Sequence, residues 1–441
     1  MLFKELNLIE SIQKTLIKYN YTQATPIQAK SIPLILEKSD VLGIAQTGTG
    51  KTAAFTLPLL QLMSEEDKKS KVSTLILAPT RELAAQIGDS IKKYGENTSF
   101  RHSVIFGGVS QRPQEKELER GVDIIVATPG RLLDLMNQRI VDLSQIKYLV
   151  LDEADRMLDM GFINDIKKIL LKIPKKRQTL FFSATMSKPI LELSKTMLNN
   201  PKKVEITPIS TTTAKVTQGL YYVDKENKDK LLLDLLSKEN MGLTIVFTRT
   251  KHKSNKIASF LDKNNIRSEA IHGNKSQNHR TKTLKEFKAG IIKVLVATEI
   301  VARGIDIDNI SHVINYEIPN EPESYVHRIG RTARAGKSGV AYSFCAADEK
   351  NYILEIQKIT KQEIPVIEHK LHSNSAQNAK GSAAKPLPKA QFHRGGNSNE
   401  KSGTKKKYGT KSNSSDNKKK SYSKSNSKYK GSKNSNYKSK N

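Results

Sequence analysis

The chain has 441 residues, 37% of them hydrophobic and 27% charged, and its formal net charge is +30. This length suffices for about two domains with their own cores and an accessory segment. A single cysteine, Cys345, excludes an intramolecular disulfide and a cysteine-rich zinc site, and no apolar run approaches the ~20 residues that cross a bilayer.

The first residues, Met1–Leu6, lack the basic region and long apolar stretch of a signal peptide. We therefore expect a cytoplasmic protein that does not engage a membrane. The sequence carries no indication of protein partners, and a monomeric core is the simplest expectation.

A glycine-rich loop, residues 45–52 (AQTGTGKT), follows the apolar segment Val41–Ala45 and precedes the helical pattern of Ala53–Leu62. A strand, a glycine loop and a helix N-terminus together form an anion cradle, because glycines let backbone N–H groups turn toward phosphate. Lys51 would reach the β- and γ-phosphates and Thr52 would ligate Mg²⁺. Ala45 stands where the general pattern has its first glycine, and a small-residue turn without a ligand is the alternative.

Short apolar runs alternate with amphipathic stretches along most of the chain, a pattern typical of doubly wound parallel sheets. The candidate strands form two sets: Ser73–Ala78, Asp123–Ala127, Tyr148–Asp152 and Thr179–Ser183, then Thr244–Thr248, Lys293–Thr298, His312–Tyr316 and Val340–Phe344. Helical patterns include Thr80–Lys93 and Ser254–Lys263. Between the sets, residues 208–213 are rich in Ser and Thr and predict a hinge between an α/β domain at 1–207 and another at 214–368.

Acidic residues follow one of these apolar runs directly, in the sequence Asp152-Glu153-Ala154-Asp155. Ligands of open α/β sheets bind at the carboxyl ends of strands. There Asp152 could hold Mg²⁺ and Glu153 could orient and deprotonate a water molecule. The alternative is an acidic helix start that suits the helix dipole.

A basic cluster in the second half, residues 327–334 (HRIGRTAR), contains Arg331 and Arg334. If the segment is helical, these two guanidinium groups share a face and suit the charge that develops on a transferring phosphoryl group. A solvated basic face is the alternative.

The last part of the chain, residues 371–441, carries 18 basic and 2 acidic side chains, more than half of the net charge. Its Lys, Ser, Asn and Gly content predicts disorder. Lysines that neutralise phosphates, together with interspersed tyrosines, favour an RNA-binding arm that ignores sequence. A solubilising tail is the alternative.

Taken in order, these motifs resemble the DEAD-box RNA helicases over about residues 1–368. The motifs that carry the resemblance are Phe3, 21–28 (YTQATPIQ), the glycine loop, 79–83 (PTREL), 107–108 (GG), 128–131 (TPGR), 152–155 (DEAD), 183–185 (SAT), 246–249 (VFTR), 272–273 (HG), 277–280 (QNHR), 297–306 and 327–334. Residues 271–277 further resemble the bacterial RhlE subgroup.

For the nucleotide, the resemblance implies two tandem RecA-like domains that use ATP and Mg²⁺, followed by a disordered basic tail at 369–441. Gln28 would read the adenine, and Tyr21 would pack on the base. Arg331 and Arg334 would act as arginine fingers from the second domain. Further implied residues are Gly48, Thr49 and Gly50 around the phosphates, Asp306 in the closed site, and Ser183 and Thr185 as the link to domain closure.

The resemblance also implies an RNA path in which phosphate and ribose contacts position a strand without reading its sequence. Its residues would be Pro79, Thr80, Arg81, Gly108, Thr128 and Arg131 from the first domain, and Arg249, Gly273, Arg280 and Thr298 from the second. The expected activity is ATP-dependent, local and non-processive opening of short duplexes or remodelling of RNA–protein complexes. An ATP-gated RNA clamp and a DNA helicase are the alternatives.

Four residues depart from the family's common pattern. Asn20 and Ala333 stand at positions where glycine is frequent, Ala24 replaces a usual proline, and Glu299 replaces a usual aspartate. We expect a looser adenine loop at Ala24 and altered contacts at the interdomain seam at Glu299. Ala333 would favour a helix but would cost about 1 kcal/mol if its backbone needs a positive φ.

Overall fold

The protein is described here from a computed structural model, which describes residues 1–66, 71–206, 216–238, 241–299, 310–333 and 338–385. These residues form two α/β lobes within one compact unit. The predicted hinge at 208–213 lies outside the described residues. Among the helices described, none is both long and apolar enough to cross a bilayer.

The first lobe contains seven strands and nine α-helices in its described part. The strands are β1 Val41–Ile44, β2 Thr74–Leu77, β3 His102–Ile105, β4 Ile124–Ala127, β5 Tyr148–Leu151, β6 Gln178–Ser183 and β7 Lys202–Glu205. The helices are α1 Glu10–Lys18, α2 Pro26–Leu36, α3 Lys51–Ser64, α4 Arg81–Tyr94, α5 Arg112–Glu119, α6 Pro129–Asn137, α7 Ala154–Asp159, α8 Ile163–Leu170 and α9 Lys188–Met197.

The second lobe repeats this alternation with six strands. They are β8 Val216–Tyr222, β9 Leu243–Thr248, β10 Ser268–Ile271, β11 Val294–Thr298, β12 Ile310–Asn315 and β13 Gly339–Cys345. The helices described are α10 Lys228–Lys238, α11 Lys251–Lys263, α12 Gln277–Lys288, α13 Pro322–Ile329, α14 Lys350–Thr360 and α15 Asn374–Asn378.

Both sheets are parallel throughout, as the alternation of strands and helices predicts. Their orders are β3-β4-β2-β5-β6-β1-β7 and β10-β11-β9-β12-β13-β8. The second order matches the first six positions of the first, so β8 corresponds to β1, β9 to β2, and β12 to β5. The prediction of two doubly wound parallel domains is therefore confirmed.

Helices cover both faces of each sheet, which explains why the central strands are continuously apolar. Along β2, Leu75 and Leu77 pack into one core while Ile76 packs into the core on the opposite face. Along β9, Ile245 and Val246 divide in the same way. This burial holds the strand ends, where the motifs lie, in a fixed arrangement.

The segment 369–385 packs on the second lobe, so the prediction of disorder from residue 369 is wrong for this part of the tail. The side chain of His369 lies 2.7 Å from Asp234, and Ser373 donates a hydrogen bond of 2.7 Å to Asp224. Ala376 on α15 and Ala384 are buried. Buried alanine side chains and hydrogen bonds of His369 and Ser373 thus hold this segment on the lobe. The remaining basic stretch, 386–441, lies outside the described residues.

Candidate nucleotide and RNA site

The glycine loop joins β1 to the N-terminus of α3. Gly48 and Gly50 adopt positive φ angles of 86° and 91°, which favour glycine. At Gly50 a Cβ atom would also lie 2.4 Å from Nε2 of Gln28, so a larger residue there would have to displace the Gln28 side chain. Lys51 opens the helix, is buried, and donates a hydrogen bond of 2.8 Å from Nζ to the Ala45 carbonyl. Loop, helix terminus and lysine together form an anion cradle.

Gln28 holds the glycine loop in this structure. Its Oε1 accepts a hydrogen bond of 2.8 Å from the Thr25 N–H, and its Nε2 donates one of 3.1 Å to the Gly50 carbonyl. The adenine contact remains a prediction for Gln28, and the geometry adds that this side chain links the adenine-reading motif to the phosphate cradle.

Tyr21 presents a partly exposed ring, with 37% of its surface accessible. It contacts Phe3 and Tyr94 edge-on, at centroid distances of 6.4 and 6.1 Å, and Lys93 Nζ lies 4.9 Å from its centroid. An exposed, braced ring can pack against a base. That role also remains a prediction.

Glu153 follows β5 in a left-handed conformation, with φ 53° and ψ 53°. Thr47 donates a hydrogen bond of 3.0 Å to its Oε1, and Arg156 donates one of 3.0 Å to its Oε2. Burial alone would raise the pKa of Glu153, but the charges of Arg156, Lys51 and Arg331 outweigh it and hold the pKa below its ordinary value. The carboxylate is therefore ionised and oriented. Sequence reasoning assigned no role to Thr47, although it lies in the predicted glycine loop, and it missed Arg156.

Asp152 is almost fully buried at the end of the same strand. Burial raises its pKa to about 7, although the charge of Lys51 opposes the shift. A buried carboxylate of this kind is stabilised by a nearby cation, and Mg²⁺ typically binds through one or two protein oxygens, phosphates and water. Asp152 and Thr52 fit such a site. Among the described residues no cluster of three acidic, His or Cys side chains could hold a metal alone.

Asp155, which sequence reasoning left without a role, connects the acidic motif to residues 183–185. Its Oδ2 accepts hydrogen bonds from the Thr185 backbone N–H at 2.9 Å and from Thr185 Oγ1 at 3.0 Å. Ser183 Oγ accepts a 3.3 Å bond from the Asp155 N–H and donates one of 2.7 Å to the Thr185 carbonyl. Both predicted coupling residues therefore contact the acidic motif directly.

A cleft of about 430 Å³ lies between the lobes beside Glu153. Thr47, Asp155 and Thr185 line it from the first lobe, and His327 and Arg331 line it from the second. Arg331 is buried, and its Nε donates a hydrogen bond of 3.1 Å to the His327 carbonyl. The structure therefore places the predicted first finger at the predicted base.

The basic motif is not one continuous helix, so the helical alternative for Arg331 and Arg334 is wrong. Helix α13 ends at Ile329, and Gly330 caps it. Ala333 then adopts φ 56°, a left-handed conformation that interrupts a helix. Arg334 and Asp306 lie outside the described residues, so their roles remain predictions.

Three of the predicted RNA loops in the first lobe leave the carboxyl ends of β2, β3 and β4. Thr80 caps α4, because its Oγ1 accepts a 3.3 Å hydrogen bond from the Leu83 N–H. Gly108 has φ 77° and lies against Arg81, whose Nη1 is 2.1 Å from where a Cβ would stand. Arg131 donates a 3.5 Å hydrogen bond to the Val109 carbonyl. The structure thus brings these loops together; Pro79 and Thr128 are buried beside them.

The second lobe places its predicted RNA residues at the corresponding strand ends. Arg249 follows β9 as the motif 79–83 follows β2, Gly273 follows β10 as Gly108 follows β3, and Thr298 ends β11 as Thr128 follows β4. The backbone around Gly273 is open, since no atom approaches a hypothetical Cβ within 4 Å. The two sets correspond without local sequence similarity.

Arg280 makes a contact between the lobes. Its Nη2 lies 2.6 Å from Oε2 of Glu82, and Gln277 Nε2 donates a 2.9 Å hydrogen bond to the other Glu82 oxygen. Arg81 also approaches Gln277, with 3.5 Å between donor and acceptor. Glu82 belongs to the predicted motif 79–83, but the sequence assigned it no role. In this structure Arg280 pairs with Glu82, and its contact with RNA remains a prediction.

The structure shows the backbone conformation or the contacts of each of the four residues that depart from the family pattern. Asn20 adopts φ 58°, which Asn tolerates better than most residues. Ala24 donates a 3.1 Å hydrogen bond to the Met1 carbonyl, a bond that proline could not make. Glu299 lies 3.1 Å from Arg328, so its carboxylate pairs within the second lobe. Ala333 bears the cost of a positive φ.

Two family models match the chain: DEAD/DEAH box helicase over residues 25–193 and the helicase conserved C-terminal domain over residues 227–336. The ATP-dependent RNA helicase CshA of Bacillus subtilis is 42% identical over 362 residues, which cover 82% of this chain and 73% of that one. This similarity supports the family and does not single out the RhlE subgroup.

Solved structures show the same architecture. Dbp5 of S. cerevisiae bound to RNA and ADP BeF3 matches with a TM-score of 0.75 and 30% identity, over 83% of this chain and 95% of that one. Mss116p bound to ssRNA and AMP-PNP matches with a TM-score of 0.74 and 29% identity, over 83% and 79%. On the motifs, the fold and these similarities together, the chain belongs to the DEAD-box family of ATP-dependent RNA helicases.

Proposed function

We propose that this helicase opens short RNA duplexes locally, or remodels RNA–protein complexes, without processive travel. The observation that carries the proposal is the position of Arg331 from the second lobe in the cleft beside Glu153 of the first. A hydrolytic site shared by two lobes turns over only while they are closed. Each round of hydrolysis then ends one local opening event.

In the hydrolytic step, the loop of Gly48 and Gly50 and the side chain of Lys51 hold the phosphates. Glu153 takes a proton from water as the water oxygen bonds to the γ-phosphorus, and the bond from that phosphorus to the bridging oxygen breaks. ADP leaves with that oxygen. Arg331 neutralises the charge that develops on the transferring group. Asp152 and Thr52 would hold Mg²⁺, which would neutralise negative charge on the phosphates.

RNA would lie along the ends of β2, β3, β4 and their counterparts β9, β10, β11. The groups there are guanidiniums, hydroxyls and open glycine backbone, which suit phosphates and riboses more than bases. Since both ligands contact both lobes, each should favour closure for the other, which is positive linkage. The contacts of Asp155 with Thr185 offer a route between the γ-phosphate and the lobe interface.

A strand-displacement assay tests this proposal directly. A short labelled RNA duplex should separate with ATP. With a non-hydrolysable analogue, each protein molecule should separate few duplexes, because it is not released for another round. Glu153→Gln should lower ATP turnover by about 10²- to 10⁴-fold, the usual contribution of a general base, while RNA affinity in the presence of ATP persists. Near-normal turnover in that variant would remove Glu153 as the base. Thermal unfolding serves as the folding control, because Arg156 loses its charged partner.

Measurements of RNA binding and of ATP turnover beside this assay separate the alternatives. Tight ATP-dependent RNA binding with no strand release would favour an RNA clamp. Equal stimulation of ATP turnover by single-stranded DNA and RNA would argue against RNA as the specific ligand.

We further propose that residues 386–441 form an auxiliary RNA-binding arm. This stretch carries 16 basic and 2 acidic side chains. A truncation after Lys385 keeps the packed segment 369–385, and it should weaken RNA binding and flatten its dependence on salt, because fewer counterions are released. An unchanged slope would make the stretch a bystander.

A further inference from the structure

The second lobe has a lysine at the position of the phosphate-binding lysine of the first. Lys51 opens α3, the helix after β1, and Lys228 opens α10, the helix after the corresponding strand β8. The loops between strand and lysine are of similar length, residues 45–50 and 223–227. The fold therefore brings both ammonium groups to the same place at the carboxyl edge of their sheets.

Lys228 is fully engaged by its own lobe. Its side chain is 4% exposed, and Nζ donates hydrogen bonds of 2.9 Å to the carbonyls of Tyr316 and Phe344 and one of 2.5 Å to Glu349 Oε2. An ammonium group has three N–H donors, so all of them are used. Glu349 thus meets Lys228 where a phosphate would meet Lys51.

The other oxygen of Glu349 contacts Arg249, one of the predicted RNA-binding residues at the strand ends. Oε1 accepts hydrogen bonds of 2.5 Å from Arg249 Nη2 and 3.2 Å from the Ile318 N–H. Oε2 also accepts one of 3.1 Å from the Ala346 N–H. A carboxylate that is 3% exposed and makes four hydrogen bonds has a fixed position.

Arg249 is held by this carboxylate but is not enclosed by it. Its Nε donates a 3.0 Å hydrogen bond to the Ile318 carbonyl, and its guanidinium lies 5.4 Å from the ring centroid of Tyr352. The side chain keeps 27% exposure. Two of five N–H donors are directed inward by these bonds, and the remaining N–H groups of the planar guanidinium are oriented by the same contacts.

We propose that Glu349 is a positioning residue for RNA: its carboxylate, anchored by Lys228, fixes Arg249 at the strand edge where the RNA backbone passes. This inference rests on the RNA role proposed above for Arg249. A long arginine side chain loses much rotamer freedom when it binds a phosphate, and an anchored partner removes that loss in advance. The effect should therefore fall on RNA affinity and not on the hydrolytic step.

The test is a set of RNA titrations of ATP turnover with the full chain. Glu349→Gln should raise the RNA concentration for half-maximal turnover by about 3- to 10-fold, the size of a coupling between neighbouring groups. Turnover at saturating RNA and the KM for ATP should stay within twofold of wild type. Arg249→Ala should raise the same RNA concentration at least as much, and the double variant should add nothing further.

Two further variants serve as controls, because a loss of RNA affinity could also come from a folding defect. Lys228→Met/Glu349→Gln removes both buried charges and should show the same RNA effect with a native unfolding transition, since paired charges are better removed together. Asp262→Asn removes an exposed carboxylate near the C-terminal end of α11 in the same lobe and should leave the RNA titration unchanged.

The outcomes separate the inference from the function on which it rests. A normal RNA titration for the Glu349 variants, with a weakened one for Arg249→Ala, overturns the positioning role and leaves Arg249 on the RNA path. Normal titrations for both overturn the RNA role of Arg249 itself. A fall in saturated turnover without a change in the RNA titration shows that Glu349 serves the lobe's structure only.

Discussion

The two lobes share the order of six strands, but the buried charges at the carboxyl edges of their sheets have different partners. In the first lobe, Lys51 donates a hydrogen bond to a loop carbonyl, and burial raises the pKa of the neighbouring Asp152 to about 7. In the second, Lys228 and Glu349 neutralise each other at 2.5 Å. The charges at the first edge thus suit the phosphate and metal ion proposed for it, whereas Lys228 and Glu349 at the second edge are paired with each other.

This difference shows how one fold can serve two purposes. A buried charge without a matched partner costs stability and is retained where a ligand supplies the partner. A buried charge with an internal partner leaves no site for a ligand but can orient a neighbour. We infer that the first lobe carries the chemistry, and the second supplies Arg331 to it and Arg249 to the RNA.

Removal of Arg331 should produce the largest effect. Arg331→Ala deletes the only contribution to hydrolysis that the described part of the second lobe is proposed to make, and arginine fingers account for roughly 10³- to 10⁵-fold in turnover. We expect steady-state turnover to fall by at least about 10³-fold, while nucleotide affinity of the first lobe, measured by fluorescence titration, changes little.

Arg331→Lys is the matched control for charge, since lysine cannot reproduce the planar fork of donors. A loss of nucleotide affinity as large as the loss of turnover would mean that Arg331 binds the ground state, and the finger role would then be wrong.

Paired lysine variants address the comparison itself. Lys51→Met should abolish measurable ATP affinity, because the cradle loses its charge, but should leave the unfolding temperature close to wild type. Lys228→Met leaves Glu349 without one of its two charged partners, and breaking a buried pair costs about 3–5 kcal/mol. At roughly 2–4 °C per kcal/mol for a lobe of this size, its unfolding temperature should fall by about 10 °C.

ATP affinity of Lys228→Met, measured below the unfolding transition, should remain within about twofold of wild type. Should both variants lose ATP affinity and keep their stability, the two lysines would be equivalent in function as well as position, and the contrast between the lobes would fail.

The residues that sequence could predict are those that act near their own strand. Gly50 and Lys51 end the loop that begins where β1 stops, and Glu153 lies two residues after the end of β5, so motif and strand end lie close together in the chain. The residues missed act across long separations: Glu349 lies 121 positions from Lys228, and Glu82 lies 198 positions from Arg280. Strands β3, β7, β8 and β10 were not among the predicted strands. Strands β3 and β7 are only partly buried, and polar residues occupy the first half of β10 and the second and third positions of β8, so none of the four begins as a continuous apolar run. The conformation of residues 330–333 depends on tertiary packing that a helical pattern does not show.

The smallest expected effect concerns the backbone beside Arg331. In the glycine loop of the first lobe the left-handed positions are occupied by Gly48 and Gly50, whereas the segment beside Arg331 in the second lobe places Ala333 at φ 56° with 8% exposure. An L-residue in this region costs about 1–2 kcal/mol. Ala333→Gly removes that cost, but it also loses a buried methyl group worth about 0.8 kcal/mol and gains entropy in the unfolded chain.

These contributions nearly cancel, so the unfolding free energy of Ala333→Gly should lie within about 1 kcal/mol of wild type in denaturant titrations. Ala333→Val is the informative partner, because a β-branched residue at positive φ is strongly disfavoured. It should unfold several degrees lower and, by displacing Arg331, reduce turnover at saturating ATP and RNA. If valine were tolerated as well as glycine, the left-handed turn would not be what holds Arg331 against Glu153.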